Sequence, residues 1–139
     1  MITKLFSLDF VSSLVGPVAS GWTLGLLAAQ VDSLSADSVY ADLTLLSDPP
    51  NSGYAGLSLP SWTWSPTSPD EVVAGVGAYF ENTGTTAWQP VYGYYVSYRN
   101  QASDPVLAWF TAFNAPIELA AGDRITFPDG VTFRLRNKR

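Results

Sequence analysis

The sequence contains no cysteine and no histidine. Without cysteine, a disulfide framework and a thiolate metal site are excluded. Without histidine, the chain lacks the commonest general acid–base, the usual catalytic triads and the imidazole ligands of common zinc sites. Carboxylates such as Glu81, Glu118 and Asp123 remain candidates for paired acid–base work, but most fall in predicted turns, where acids are usually solvated. We therefore predict no catalytic residue, no metal site and no cofactor, and a protein that is not an enzyme.

Charge is also scarce. Charged residues make up 14% of the chain, against a typical share of about 25%. Part of the surface is therefore expected to be covered by a partner, although a surface rich in Ser, Thr and Asn is the simpler alternative. The net charge of −5 argues against nucleic acid as that partner. The C-terminus nevertheless gathers basic residues that suit an acidic partner or a solvated terminal strand: Arg134, Arg136, Lys138 and Arg139.

No apolar run approaches the ~18 residues of a membrane span, so no membrane partner is expected. At the N-terminus, Asp9 interrupts the apolar region and makes a signal peptide a poor interpretation. Residues 3–15 fit both a helical stripe and an alternating strand, and we assign them to a segment over residues 1–20. We predict an N-terminal arm or short helix there, with Phe6 and Phe10 as candidate partner contacts, followed by one β-sandwich domain over residues 21–139.

A Tyr-rich hairpin lies at the centre of the pattern. Residues 91–99 alternate as a half-buried strand does, and residues 106–113 are the return strand. Residues 100–105 supply Asn, Ser and Asp side chains that can bond their own backbone in a turn. One face of the first strand is mostly aromatic and is formed by Tyr92, Tyr94, Val96 and Tyr98. We expect this face or its opposite to be partly buried against another protein chain, with Tyr92, Tyr94 and Tyr98 as candidate contacts.

Further short strands are predicted at 22–31, 54–64 and 72–81, separated by Gly- and Pro-rich turns. Residues 124–127 and 131–135 predict a final hairpin around the Pro-Asp-Gly turn. Apolar residues near helical spacing in 33–47 indicate one or two helical turns. The chain is thus predicted to be mainly β: a single-domain antiparallel β-sandwich, jelly-roll-like, with one or two short helical elements in its N-terminal half.

Aromatic residues open a second functional class. The five Trp and seven Tyr could provide stacking platforms for sugars, although core and interface packing explains them more simply. Trp62 and Trp64 share a strand face beside a Pro-rich turn. They are therefore the best candidates for glycan stacking.

Three pieces of sequence carry a family resemblance. ADLT at 41–44 is followed by GYA at 53–55, VYGYYV occupies 91–96, and VLAW at 106–109 precedes Phe-x-x-Pro and a Gly-Asp pair. In this order and spacing, the chain resembles small structural proteins of tailed bacteriophages, including cyanophages, over roughly residues 22–136. The resemblance implies a virion component with a β-sandwich fold and no enzymatic activity.

On this basis we expect a capsid decoration or cement protein that stabilises the shell through protein–protein contacts. It would be made in the host cytoplasm and located on the outer surface of the capsid. Its partners would be the major capsid protein or other virion proteins, and it would form a homo-oligomer, with a trimer favoured. A tail, baseplate or fibre-associated protein is one alternative. A carbohydrate-binding β-sandwich that recognises host surface glycans is the alternative of another class.

Overall fold

The computed structural model describes residues 20–59, 62–64, 71–100 and 102–134. Within these residues the chain is mainly β, with antiparallel sheets, as predicted, and is consistent with a β-sandwich. Residues 1–19 of the predicted N-terminal arm lie outside the described residues, and its last residue, Ser20, begins the first strand. The strands of the described residues are β1 Ser20–Leu27, β2 Leu57–Ser58, β3 Thr63–Trp64, β4 Glu71–Ala74, β5 Ala78–Glu81, β6 Val91–Arg99, β7 Pro105–Ile117, β8 Arg124–Phe127 and β9 Val131–Arg134.

The predicted hairpin is confirmed as the pair β6–β7 at one side of a four-stranded antiparallel sheet, which we call the main sheet, of order β2-β1-β6-β7. Its turn is built as the residue types indicate. Asn100 Oδ1 accepts hydrogen bonds from the backbone N–H of Ala102 and of Asp104, each at 3.0 Å. Ser103 adopts a positive φ of 64° that completes the reversal.

The second hairpin strand runs further than predicted. The predicted strand ends at residue 113, but β7 continues through Pro116 to Ile117. The strand lies at the edge of the main sheet, where one side of the backbone needs no pairing partner. Proline is tolerated in such edge positions because the N–H that it lacks is not needed for the ladder.

The remaining strands form a three-stranded sheet of order β3-β4-β9 and a two-stranded sheet of β5 and β8, which together we call the ribbon. Strand β4 pairs with β9 and β5 pairs with β8, all antiparallel, while β3 pairs with β4. The prediction of one strand over 72–81 is therefore wrong, because Gly75 and Gly77 adopt positive φ and interrupt it. The predicted final hairpin is wrong as well. The turn at Gly130 forms, but each of its flanking strands pairs with a strand from 71–81 rather than with the other.

The predicted helical elements are not borne out. The described residues contain no α-helix, and the 33–47 stretch holds a three-residue 3-10 turn, Tyr40–Asp42. Leu34, Tyr40, Leu43 and Leu45 of this irregular loop cover the outer face of the main sheet and pack on Leu27, Tyr95, Leu107 and Phe110. Val39 is instead exposed, and Leu46 packs in a different buried cluster. The near-helical spacing of the apolar residues therefore does not reflect one buried face.

The principal core lies between the main sheet and the ribbon. Leu24, Val96 and Ala108 from the main sheet join Phe80 and Val131 from the ribbon in one buried cluster. Since the loop over 28–46 covers the opposite face, the main sheet is buried on both sides near its centre. Both faces of β6 therefore pack within the chain, so most of its side chains are not accessible to a partner.

Candidate functional site

The aromatic face of β6 is turned toward the chain's own core. Tyr98 is 1% exposed and its ring lies 4.8 Å from that of Trp22. Tyr94 is half-buried, with its ring 5.2 Å from Phe127 and 6.2 Å from Phe113. Tyr98 as a partner contact is therefore corrected: a docking protein would not reach a side chain that the ribbon already covers.

The opposite face of β6 is closed as well. The Tyr95 ring packs edge-on against Tyr40 at 6.0 Å, under the loop that follows β1. Burial raises the pKa of the Tyr95 phenol, and the negative charges of Tyr54 and Tyr40 at high pH act in the same direction. The expectation that one face meets another chain is thus wrong for the stretch from Tyr94 to Tyr98. Of the β6 residues predicted to contact a partner, Tyr92 has a side chain that lines a surface groove.

Five of the predicted partner residues lie outside the described residues: Phe6, Phe10, Arg136, Lys138 and Arg139. Arg134 ends β9, where its backbone pairs with Glu71, and the structure describes no side chain for it. Trp64 in β3 is likewise described by its backbone alone.

Trp62, a candidate for glycan stacking, belongs to an aromatic cluster. Its ring lies edge-on to Trp22 at 5.2 Å and tilted against Trp109 at 5.7 Å. It is half-buried and packs against the principal core. Such a ring contributes to core packing.

An apolar groove separates the edges of the main sheet and the ribbon. It has a volume of about 470 Å³ and is lined by Leu57 and Ser58 of β2 and by residues 76–79. We call it the edge groove. Val76 and Tyr79 are 69% and 45% exposed, which is high for large apolar side chains. The edge groove is where the described chain leaves apolar surface beside sheet edges.

The Tyr79 side of the edge groove also carries charge. The Arg124 guanidinium lies 4.3 Å from the centre of the Tyr79 ring, and its Nε donates to Glu81 Oε1 at 2.7 Å. The hydrogen bond to Glu81 and its negative charge raise the pKa of Arg124. The pair is exposed to solvent, so its contribution to stability is small.

A second, smaller groove of about 180 Å³ lies beside the first residues of β6. It is bounded by the residues that follow β1, by Tyr92, and by the end of β7. We call it the bulge groove. Its lining residues are Gln30, Val31, Asp32, Tyr92 and residues 112–116. Apart from Tyr92, none of these was singled out from the sequence, because they come together only through the pairing of β6 with β7.

Two asparagines missed by sequence reasoning organise the loops at one end of the fold. Asn82 is fully buried; its Nδ2 donates to the carbonyls of Thr86 and Leu119, at 2.8 and 3.0 Å. Asn51 is 1% exposed and holds Gln89 through two hydrogen bonds. A buried amide surrounded by backbone partners carries no periodic signal in the sequence, so neither residue could be found there.

The acidic residues serve turns, as the sequence indicates. Asp42 Oδ2 accepts from the N–H of Val39, and Asp123 Oδ2 accepts from that of Ala120. In the part of the chain that the structure describes, no group of three or more Asp and Glu side chains is placed to hold a metal ion.

Among the described residues, none forms a helix with the length and apolar character needed to cross a membrane.

Comparisons with protein-family models, with curated proteins and with solved structures found no match to this chain. The resemblance to phage structural proteins therefore stays a prediction carried by the sequence motifs. The edge groove and the bulge groove are the candidate functional sites of the described chain.

Proposed function

We propose that this protein is a non-enzymatic structural protein of a phage virion, a decoration or cement protein on the outside of the capsid. The sequence resemblance suggests the virion. The observation that supports a docking role is the edge groove, where Val76 and Tyr79 expose apolar surface beside two sheet edges. Apolar surface of this kind favours contact with another protein.

The edge groove suits an extended segment of a capsid subunit. Strand β2 pairs with β1 on one side, and β5 pairs with β8 on one side. In the described residues, the other edges of β2 and β5 carry no paired strand. Unpaired N–H and C=O groups along such edges accept an added strand, while neighbouring apolar side chains fix its register. Val76 and Tyr79 would supply those apolar contacts.

Many copies would be needed to make such docking stable. A standard interface buries ~800 Å² on each partner, and the edge groove alone is a small part of that. In our proposal the protein is a homo-oligomer, with a trimer favoured, so that modest contacts add through avidity. Phe6 and Phe10, together with the basic residues Arg134, Arg136, Lys138 and Arg139, would extend the contact to the major capsid protein.

The test is co-sedimentation of the purified protein with empty shells of the virus that encodes it. The native chain should bind and raise the melting temperature of the shells. Val76→Lys places a charge in the edge groove and should weaken binding at least tenfold. Val39→Lys is the matched control, because Val39 is 41% exposed but lies in the 33–47 loop, away from the edge groove. Equal binding by both variants would refute docking through the edge groove.

The position in the virion needs a separate measurement. In a quantitative gel of intact particles, a copy number close to that of the shell subunits supports decoration. A number that matches the symmetry of the tail instead supports the tail, baseplate or fibre alternative. If the native chain neither binds shells nor changes their heat resistance, the decoration role is wrong.

A further inference from the structure

We infer that the bulge groove is a binding site for a single neutral sugar ring. This inference goes beyond the proposed structural role and does not depend on it. It also differs from stacking on Trp62, whose ring is committed to the aromatic cluster with Trp22 and Trp109. Three features of the bulge groove support a sugar site: the way its wall is built, its unpaired polar groups and its size.

An irregularity in the β6–β7 pairing builds the groove wall. Val91 pairs with Ile117 and Gly93 pairs with Ala112, so Tyr92 alone stands opposite residues 113–116. The surplus residues of β7 must leave the plane of the ladder, as in a β-bulge. Bulges commonly re-aim side chains next to functional sites.

The close pairing beside this irregularity depends on Gly93. A Cβ atom at this position would lie 2.2 Å from the carbonyl oxygen of Thr111. Glycine therefore allows β7 to approach β6 closely just before the bulge begins. The tight pairing on one side of the bulge gives the groove a wall anchored in the main sheet.

The polar groups around the groove are unused by the fold. In the part of the chain that the structure describes, hydrogen bonds and ion pairs engage none of the side chains of Gln30, Asp32, Tyr92 and Asn114. Gln30, Asp32 and Asn114 are exposed to solvent, so a ligand in the groove can reach them. An unpaired carboxylate and two unpaired amides around one concavity, with the phenol of Tyr92, can act on a ligand.

These groups match sugar hydroxyls. A hydroxyl both donates and accepts, and here the Asp32 carboxylate can accept while the amides of Gln30 and Asn114 can donate. Tyr92 and Phe113 add aromatic surface for the apolar face of a sugar ring. None of the residues that line the bulge groove is Lys or Arg, and the Asp32 carboxylate repels anions. Phosphorylated or acidic sugars are therefore disfavoured.

The size favours one ring. At about 180 Å³, the bulge groove is smaller than the ~300 Å³ at which pockets for drug-sized ligands begin. An open groove that holds one small polar ligand should bind it with a dissociation constant of about one millimolar.

The test is NMR titration of the full ¹⁵N-labelled chain with neutral hexoses, each tested separately. We expect at least one hexose to shift the side-chain NH₂ signals of Gln30 and Asn114 and the backbone signal of Tyr92. Asn114→Ala should weaken binding of that hexose at least fivefold. Thr126→Ala, which removes an exposed hydroxyl on β8, is the matched control and should leave the affinity unchanged.

Three results would overturn the inference. One is no shift in these signals at 100 mM of every hexose tested. Another is shifts that centre on the indole signal of Trp62 and leave Asn114 unmoved. The third is preference for simple amines, with binding that Asp32→Asn abolishes; this would identify a cation site made by a carboxylate and aromatic rings. Failure of shell docking would leave the sugar titration unaffected, so the two proposals fail separately.

Discussion

Asn51 and Gln89 are joined at two points although 38 positions separate them in the sequence. Asn51 Oδ1 accepts from the backbone N–H of Gln89 at 2.7 Å, and Asn51 Nδ2 donates to Gln89 Oε1 at 3.1 Å. Nδ2 also donates to the carbonyl of Ser47. One buried amide thus fixes the loop before β2 to the loop before β6.

Asn51→Ala is expected to lower the free energy of unfolding by about 2–3 kcal/mol, because it removes a buried amide together with its hydrogen bonds to Ser47 and Gln89. Gln89→Ala is the matched control. It removes the exposed end of the pair and keeps the backbone donor, so its effect should be at most about 1 kcal/mol. Urea unfolding followed by circular dichroism measures both. Equal losses for the two variants would show that the buried amide has no special role.

The hairpin β6–β7 could be predicted because its signals are local. Period-2 alternation identifies the first strand, and Asn100 and Ser103 identify the turn. The pairing of β8 with β5 could not be predicted, because the Pro-Asp-Gly turn signals a local reversal and says nothing of a strand some 45 residues earlier. Local sequence signals predicted the turns correctly, while long-range packing decided which strands pair.

The candidate site was harder to predict for the same reason. Tyr98 has the residue type of an interface anchor, yet the ribbon covers it. Gln30 and Asn114 have no distinguishing sequence context and meet through sheet pairing. Val76 sits between two glycines, and its exposure follows from the interruption of the 72–81 strand, which alternation alone did not reveal.

Gly25 and Tyr95 provide a test of packing on the outer face of the main sheet. The two residues pair across β1 and β6, and a Cβ at Gly25 would lie 2.3 Å from the end of the Tyr95 ring. Gly25→Ala should therefore destabilise the fold by about 1–3 kcal/mol through overpacking.

Tyr95→Leu removes the ring atoms that would clash. In that background, Gly25→Ala should cause a much smaller loss than in the native chain, which a double-mutant cycle on urea midpoints would detect. Losses that simply add would show that the ring moves aside without energetic consequence.

Alkaline pH should destabilise the protein through buried phenols. Burial raises the pKa of Tyr95, and it raises that of Tyr54 although the hydrogen bond from the Leu26 N–H opposes it. Above pH ~10 the unfolded chain loses these protons while the folded chain retains them. Stability is therefore fully present below pH ~10 and falls above it, by up to about 1.4 kcal/mol per pH unit for each such phenol.

Urea midpoints at pH 8 and pH 11 measure this loss. Tyr95→Phe removes one of the phenols and should reduce the difference between the two midpoints. Thr126→Ala is the control, since it changes an exposed side chain that does not titrate and should leave that difference unchanged. A native chain that is as stable at pH 11 as at pH 8 would contradict the assignment of buried, neutral phenols.

Trp62 distinguishes packing from sugar stacking in a direct way. Its contacts with Trp22 and Trp109 predict that Trp62→Ala lowers the free energy of unfolding by about 2 kcal/mol, less than the ~3–5 of a fully buried tryptophan because the ring is half-exposed. Trp62→Phe keeps a ring in the cluster and should recover much of that loss. Circular dichroism is the suitable probe, because the substitution changes the fluorescence itself. If the Trp62→Ala chain kept native stability but lost binding to an added polysaccharide, Trp62 would instead be an exposed platform for sugar stacking.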